Sequence, residues 1–184
     1  MALYEGPRGP TMTMTVRQTV FHILYALALV LSATNALALD LPRGKVVLTV
    51  SGKEIANANQ DGKAVFDIDM LEALPGRSAS IETPWYPDAR EFSGPFLRSV
   101  LASAGAKGTS IRIKALNDYV VTVPFSDAQR IDTILATRTD GRLMSVRDKG
   151  PLFLVYPFDL DRSLYDETYF ARSVWQISEI EVID

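Results

Sequence analysis

Residues 146–157 read VRDKGPLFLVYP. Three charged residues run into Gly150-Pro151, and from Leu152 the chain turns apolar. Pro151 fixes the backbone at the entry to the apolar run, and Gly150 lets the backbone come close to whatever faces it. LFLVYP (152–157) follows a turn signal and predicts a fully buried strand. Two readings of the charged loop stay open here. It is a plain entry into a core strand, or it shapes a pocket with its backbone and charges.

Working outward, TILATRT, Asp140-Gly141 and RLMSV predict a hairpin through a DG turn. VWQISEIEVI (174–183) alternates and predicts a strand that closes the sheet. SIRIKAL (110–116) and YVVTVPF (119–125) predict strands joined at Asn117-Asp118, residue types that favour tight turns. Pro95 suits the first turn of a helix with Phe96, Leu97, Val100, Leu101 and Ala104 on one face, ended by Gly105. VVLTVSG (46–52), AVFDID (64–69) and SASIE (78–82) predict strands, the second half-buried. Asp69 is expected to cap a short helix, MLEAL, stopped by Pro75-Gly76, and Ser126 a helical turn through Gln129. TPWYPDAREFSGP (83–95) has three prolines and no periodicity, so a long loop is expected. Many short strands with few helices predict an α+β fold with a mixed or antiparallel sheet.

The 184 residues predict one domain, and 47% hydrophobic with 22% charged residues suits a globular one. Arg17, the apolar stretch 21–31 and Ala36-Leu37-Ala38 form a basic region, a short hydrophobic region and an A-x-A cleavage site. A signal peptide over 1–38, cut after Ala38, is expected, with the domain over 39–184 and a periplasmic location. The chain has no Cys, and its one His, His22, lies in the expected signal peptide. Cleavage leaves 17 basic and 21 acidic residues, a net charge of −4 without a basic stripe, so no nucleic-acid partner is expected. The mature inventory excludes Ser-His-Asp and Cys-His nucleophile systems and His/Cys zinc sites.

Four segments then come in a particular order: FSGPFLRSVLASAGA (92–106), ALNDYVVTVPFSD (115–127), DGRLMSVRDKGPLFLVYPFD (140–159) and ARSVWQISEIEV (171–182). This series resembles the sulfite-oxidase-type molybdopterin-binding fold over about 110 residues. That fold has a G-x-x-L helix, a D-G-Y strand entry, a G-x-P-L loop and a closing V-K-W-x-x-x-I-x-V. Enzymes of this type ligate molybdenum with a cysteine ahead of the G-x-x-L helix; the matching stretch here, IETPWYPDAREFSG, has none. The chain looks most like small exported members that bind pterins, some of them periplasmic sensors for membrane-bound proteins that make or degrade cyclic-di-GMP. The resemblance thus implies a pterin ligand, no molybdenum cofactor, no catalytic residue, and a partner in the periplasmic region of a membrane-bound signalling protein. Two alternatives stand beside it: a molybdopterin-dependent oxidoreductase or its subunit, and an interaction module with a vestigial pocket.

A pterin needs a stacking face and hydrogen-bond partners for its amide and amino edge. Trp85 and Tyr86, between two prolines, are candidate stacking walls. Asn117 or Asp118 would bond the edge, with Tyr119 flanking the ring. In the loop matching G-x-P-L, Arg147 and Lys149 would meet phosphate or polyol and Asp148 the amino edge, while Gly150 would let backbone approach the ligand. Arg172, at the closing motif, is a candidate ligand contact, and Trp175 beside it is expected in the core, as are Tyr156 and Phe158. Asp67, Asp69 and Glu72 are expected to form a solvated acidic face.

Overall fold

The computed structural model describes residues 39–184; the expected signal peptide lies outside the described residues. The strands are β1 (Leu48–Gly52), β2 (Ala64–Phe66), β3 (Gly76–Ile81), β4 (Arg90–Pro95), β5 (Ser110–Ala115), β6 (Val120–Pro124), β7 (Ile134–Ala136), β8 (Arg138–Thr139), β9 (Arg142–Leu143), β10 (Phe153–Val155) and β11 (Ile177–Ile183). The α-helices among the described residues are α1 (Ile68–Glu72), α2 (Leu97–Ser103), α3 (Phe125–Arg130) and α4 (Glu167–Arg172). A five-stranded sheet has the order β2-β1-β11-β5-β6, a four-stranded sheet the order β3-β4-β8-β9, and β10 pairs with β7. β1 and β11 are parallel and the other pairs antiparallel, which makes a mixed α+β domain. No helix among the described residues is long and apolar enough to cross a membrane.

The alternating stretches form strands because period-two patterns bury one face. Ile177, Ile180 and Val182 of β11 are buried together with Leu48 and Val50 of β1 and Ile111 and Ile113 of β5. β11 lies between β1 and β5, so the last strand of the chain is the middle of its sheet. In α2, Leu97, Val100 and Leu101 are buried, and Gly105 at φ 64 ends the helix as its sequence predicts. Asp140 at φ 49 and Gly141 at φ 74 make the DG turn. TILATRT is split, however: β7 pairs with β10, and β8 with β4 and β9. Phe153, Leu154 and Val155 of β10 are fully buried, as are Tyr156 and Phe158 just after it.

Three expectations fail locally. The stretch 83–95 is not one loop, because 90–95 forms β4, paired with both β3 and β8. Only Gly allows this at residue 94, where a Cβ would sit 2.2 Å from the Leu135 carbonyl oxygen. The helix α3 starts after Pro124 with no side-chain cap, so Ser126 does not cap it. Asp67, rather than Asp69, caps α1 and ends β2.

Asp69 and Glu72 are exposed, and Asp67 alone departs from the expected solvated acidic face. Asp67 is buried; its Oδ1 accepts from the Met70 amide at 2.9 Å, and its Oδ2 from the Arg43 and Gly44 amides at 2.8 and 2.7 Å. Glu72 pairs with Arg138 at 2.7 Å and accepts from the Thr137 hydroxyl. The amide donors, led by Met70 and Gly44, hold the Asp67 carboxyl below the ordinary value of 3.8. Its contribution to stability is therefore present above pH 3.8 and is lost as pH falls through the lower folded-state value. Asp67→Ala is expected to cost about 2 kcal/mol at neutral pH, the upper end for a lost helix cap, and to flatten this part of the acid limb. Urea unfolding between neutral pH and pH 3 checks both; an acid limb unchanged in the variant would refute the assignment.

Candidate functional site

A cavity of about 340 Å³ opens where β5, the Asn117 turn, α4 and the chain entering β11 come together. Its walls include Trp85, Tyr119, Phe170 and Trp175, with Asn117 and Ser173 among the polar residues. Its volume falls in the range of small-molecule sites, and its lining is mostly apolar, as such sites are. A larger groove runs past Lys53, Lys63 and Lys107 beside the end of β11. It contains no aromatic side chain, so it offers no stacking face.

The cavity stands on the core. Phe153 of β10 is fully buried, and Trp85 meets its ring edge-on at a centroid distance of 5.4 Å. Trp85 also meets Phe170 at 5.9 Å and Trp175 at 5.8 Å, again edge to face. This geometry suits the ring quadrupoles and fixes the planes of both tryptophans. Trp175 is 38% exposed, so the expected core tryptophan is instead a cavity wall. The reason is local. Gln176 takes a left-handed backbone at φ 56, and its amide donates to the Lys149 carbonyl. Trp175 therefore sits ahead of the regular ladder, bridged to Phe153.

The Asn117-Asp118 turn divides its two candidates. Asn117 lines the cavity, and its Oδ1 accepts from the Tyr119 amide at 3.2 Å. Asp118, at φ 65, does not line it; its exposed carboxylate pairs with Lys114 at 2.7 Å, which lowers its pKa. Tyr119 is 53% exposed at the mouth.

The 146–151 segment is divided in the same way. A second cavity is lined by Tyr86, Arg90, Thr139, Arg142 and Asp148. Asp148 accepts from the Ser145 hydroxyl at 2.8 Å. Burial, then the nearby Asp148 charge, pushes the Tyr86 phenol up, so it stays a neutral donor. Lys149, at φ 68, places its ammonium 4.4 Å above the Tyr86 ring and 5.6 Å from Trp175. It thus stands between a wall of the second cavity and a wall of the first. Arg147 is exposed and lines neither. Gly150 is buried, and a Cβ there would lie 2.0 Å from the Met144 carbonyl oxygen. The close approach that needs glycine is thus to Met144, which replaces the expected approach to a ligand; Gly150→Ala reports on folding.

Arg172 is turned away from the cavity. Its Nη1 donates at 2.9 Å to Asp127 Oδ2, which also accepts from the Tyr156 hydroxyl at 2.9 Å. Desolvation, then the Asp127 charge, pushes the Tyr156 phenol far above its ordinary range, so it remains a donor. Arg172 is therefore committed to anchoring α4, and the residues beside it, Phe170, Ala171, Ser173 and Val174, line the cavity. These residues were not expected in the site. Asp166-Glu167 was the available signal: Asp166 caps α4, accepting from the Thr168 and Tyr169 amides, with an acidic first turn behind it.

No family model matches the chain, and no curated protein matches it. Its fold is similar to the crystal structure of the sulfane dehydrogenase SoxCD from Paracoccus pantotrophus, with a TM-score of 0.53 and 18% identity. The match covers 80% of this chain and 40% of that one. This similarity shows a shared fold over most of this chain, and less than half of that one.

The residues present do not fit the metal of a molybdenum cofactor. The chain has no thiolate, and the loop matching the ligand position puts the Trp85 ring into the cavity wall. Among the described residues no group of three His, Cys, Asp or Glu could hold a metal ion. The cavity's polar side chains offer an amide, hydroxyls and indole N–H groups but no carboxylate, thiol or imidazole, and the Ser173 hydroxyl already donates to the Tyr169 carbonyl. A flat heteroaromatic ring fits this lining better than a metal does.

Proposed function

We propose that the protein is an exported, non-catalytic pterin-binding protein. In this reading it relays its ligand state to the periplasmic region of a membrane-bound partner of the cyclic-di-GMP cyclase or phosphodiesterase type. The observation that carries the reading is the cavity walled by Trp85 and Trp175. A pterin ring would stack there, with the Asn117 amide on its edge and Tyr119 flanking it. Signalling requires the ligand to favour one partner-binding state over another. The exposed apolar side chains Leu116, Tyr119, Val146 and Trp175 provide a surface that the ligand would alter. They are tied together, since the Leu116 amide donates to the Gln176 carbonyl and the Gln176 side chain to the Val146 carbonyl.

The test is titration of the purified protein with 6-hydroxymethylpterin, followed by tryptophan quenching. Trp175→Ala is expected to weaken binding by roughly 1–3 kcal/mol, the range for lost aromatic stacking. Its melting temperature should fall less than that of Trp85→Ala, because the ring is partly in water and meets two rings rather than three. Trp85→Ala should lower affinity and stability together, because Trp85 packs on three rings. Absence of saturable binding to the wild type, or full affinity in both variants, would remove this reading.

A further inference from the structure

We propose that Lys149 selects, among flat ring ligands, those that carry an anionic substituent; this rests on the pterin reading. The ammonium lies 4.4 Å above Tyr86 and 5.6 Å from Trp175, between the two cavities. Arg90, which shares the Tyr86 ring with Lys149, is neutralised by Asp140 at 2.8 Å. No carboxylate among the described residues lies within 4.0 Å of the Lys149 ammonium. Its adjacent acid, Asp148, is bonded to Ser145. Ring faces attract a cation weakly, by about 0.5–1 kcal/mol at exposed sites, so the ammonium gains by exchanging them for a ligand anion.

The backbone holds Lys149 in place. Its φ of 68 is a left-handed conformation that a long side chain seldom takes, and its carbonyl accepts from the Gln176 amide at 3.0 Å. That bond ties Lys149 to the residue after Trp175. A ring stacked on Trp175 would thus lie within reach of the ammonium. A carboxylate or phosphate on the ring would project from the aromatic cavity toward the Tyr86 side, whereas a neutral side chain would gain nothing there.

Competition between pterin-6-carboxylate and 6-hydroxymethylpterin at low salt tests this. The wild type is expected to prefer the carboxylate by about tenfold or more, as for a charge-assisted bond. In Lys149→Gln the ratio of the two affinities should fall to near one, and in Lys149→Arg the preference should persist. Added salt should shrink the wild-type ratio. Equal affinities in the wild type would overturn the inference and leave the pterin reading intact. A preference unchanged in Lys149→Gln would assign the selection to another residue and also overturn it. Failure of both compounds to bind would remove the pterin reading and this inference with it.

Discussion

Asp127→Ala is expected to lose about 3 kcal/mol of folding stability, with the urea slope unchanged. Asp127 is 6% exposed, and one of its oxygens accepts from both Arg172 and Tyr156. Formation of such a network contributes little net stability, because desolvating the two ions offsets their attraction. Its loss is costly, because the Tyr156 hydroxyl is left buried without a partner and Arg172 without its counter-charge. The Arg172 side chain is 25% exposed and can turn partly to water, which puts the expected value at the lower end for broken buried pairs. Asp127→Asn keeps an acceptor for Tyr156 and removes the charge opposite Arg172, so it should cost about half as much. If both variants lost less than about 1 kcal/mol, Arg172 would be free of Asp127 and available to a ligand after all.

Phe153→Ala should cost more, about 4 kcal/mol, since a large ring in a closed core leaves a cavity when removed. Phe153 is fully buried and touches Phe92, Trp85 and Trp175 at centroid distances of 5.7, 5.4 and 6.1 Å. The same substitution withdraws the floor under both tryptophans, so pterin affinity should fall with stability. Phe153→Leu separates the two effects. It refills much of the volume and should recover most of the stability, without the ring edges that orient Trp85 and Trp175. Affinity that recovered fully in Phe153→Leu would show that the tryptophan planes do not matter.

Much of the fold was legible where burial is one-sided or complete. β11, β5, the DG turn and LFLVYP have patterns that only one local structure buries well. β4 was not legible, because Phe92 is its one large buried side chain and Pro95 and Gly94 read as breakers. Its place depends on pairing with β3 and β8 and on a close approach to Leu135, which are long-range facts. Asp67 and Asp69 look equivalent as caps; the Arg43 and Gly44 amides, far away in sequence, decide for Asp67. Trp175, expected in the core at the closing motif, is a cavity wall instead because the backbone turns left-handed at Gln176 and the β11–β5 register shifts between Ile177 and Glu179.

The site was legible as residue types and not as partnerships. Trp85, Asn117 and Tyr119 stand out as loop aromatics and a turn amide, and they share one cavity. Tyr86 and Asp148 share another, with Lys149 between the two. The roles considered for Asp118, Arg172 and Gly150 meet local partners instead: Lys114, Asp127 and the Met144 carbonyl. A charged residue near a motif does not reveal whether its partner is a ligand or a neighbouring side chain.

The central claim is a stacked pterin without a metal, in an exported protein. Native mass spectrometry of protein purified from the periplasm of its own host tests it most directly, because one spectrum reports the mature N-terminus and any retained molecule. The expected mass is the chain from Leu39 plus one pterin, with no molybdenum. Molybdenum near one per chain, or a chain that neither retains a pterin nor takes one up when it is added, would contradict the account.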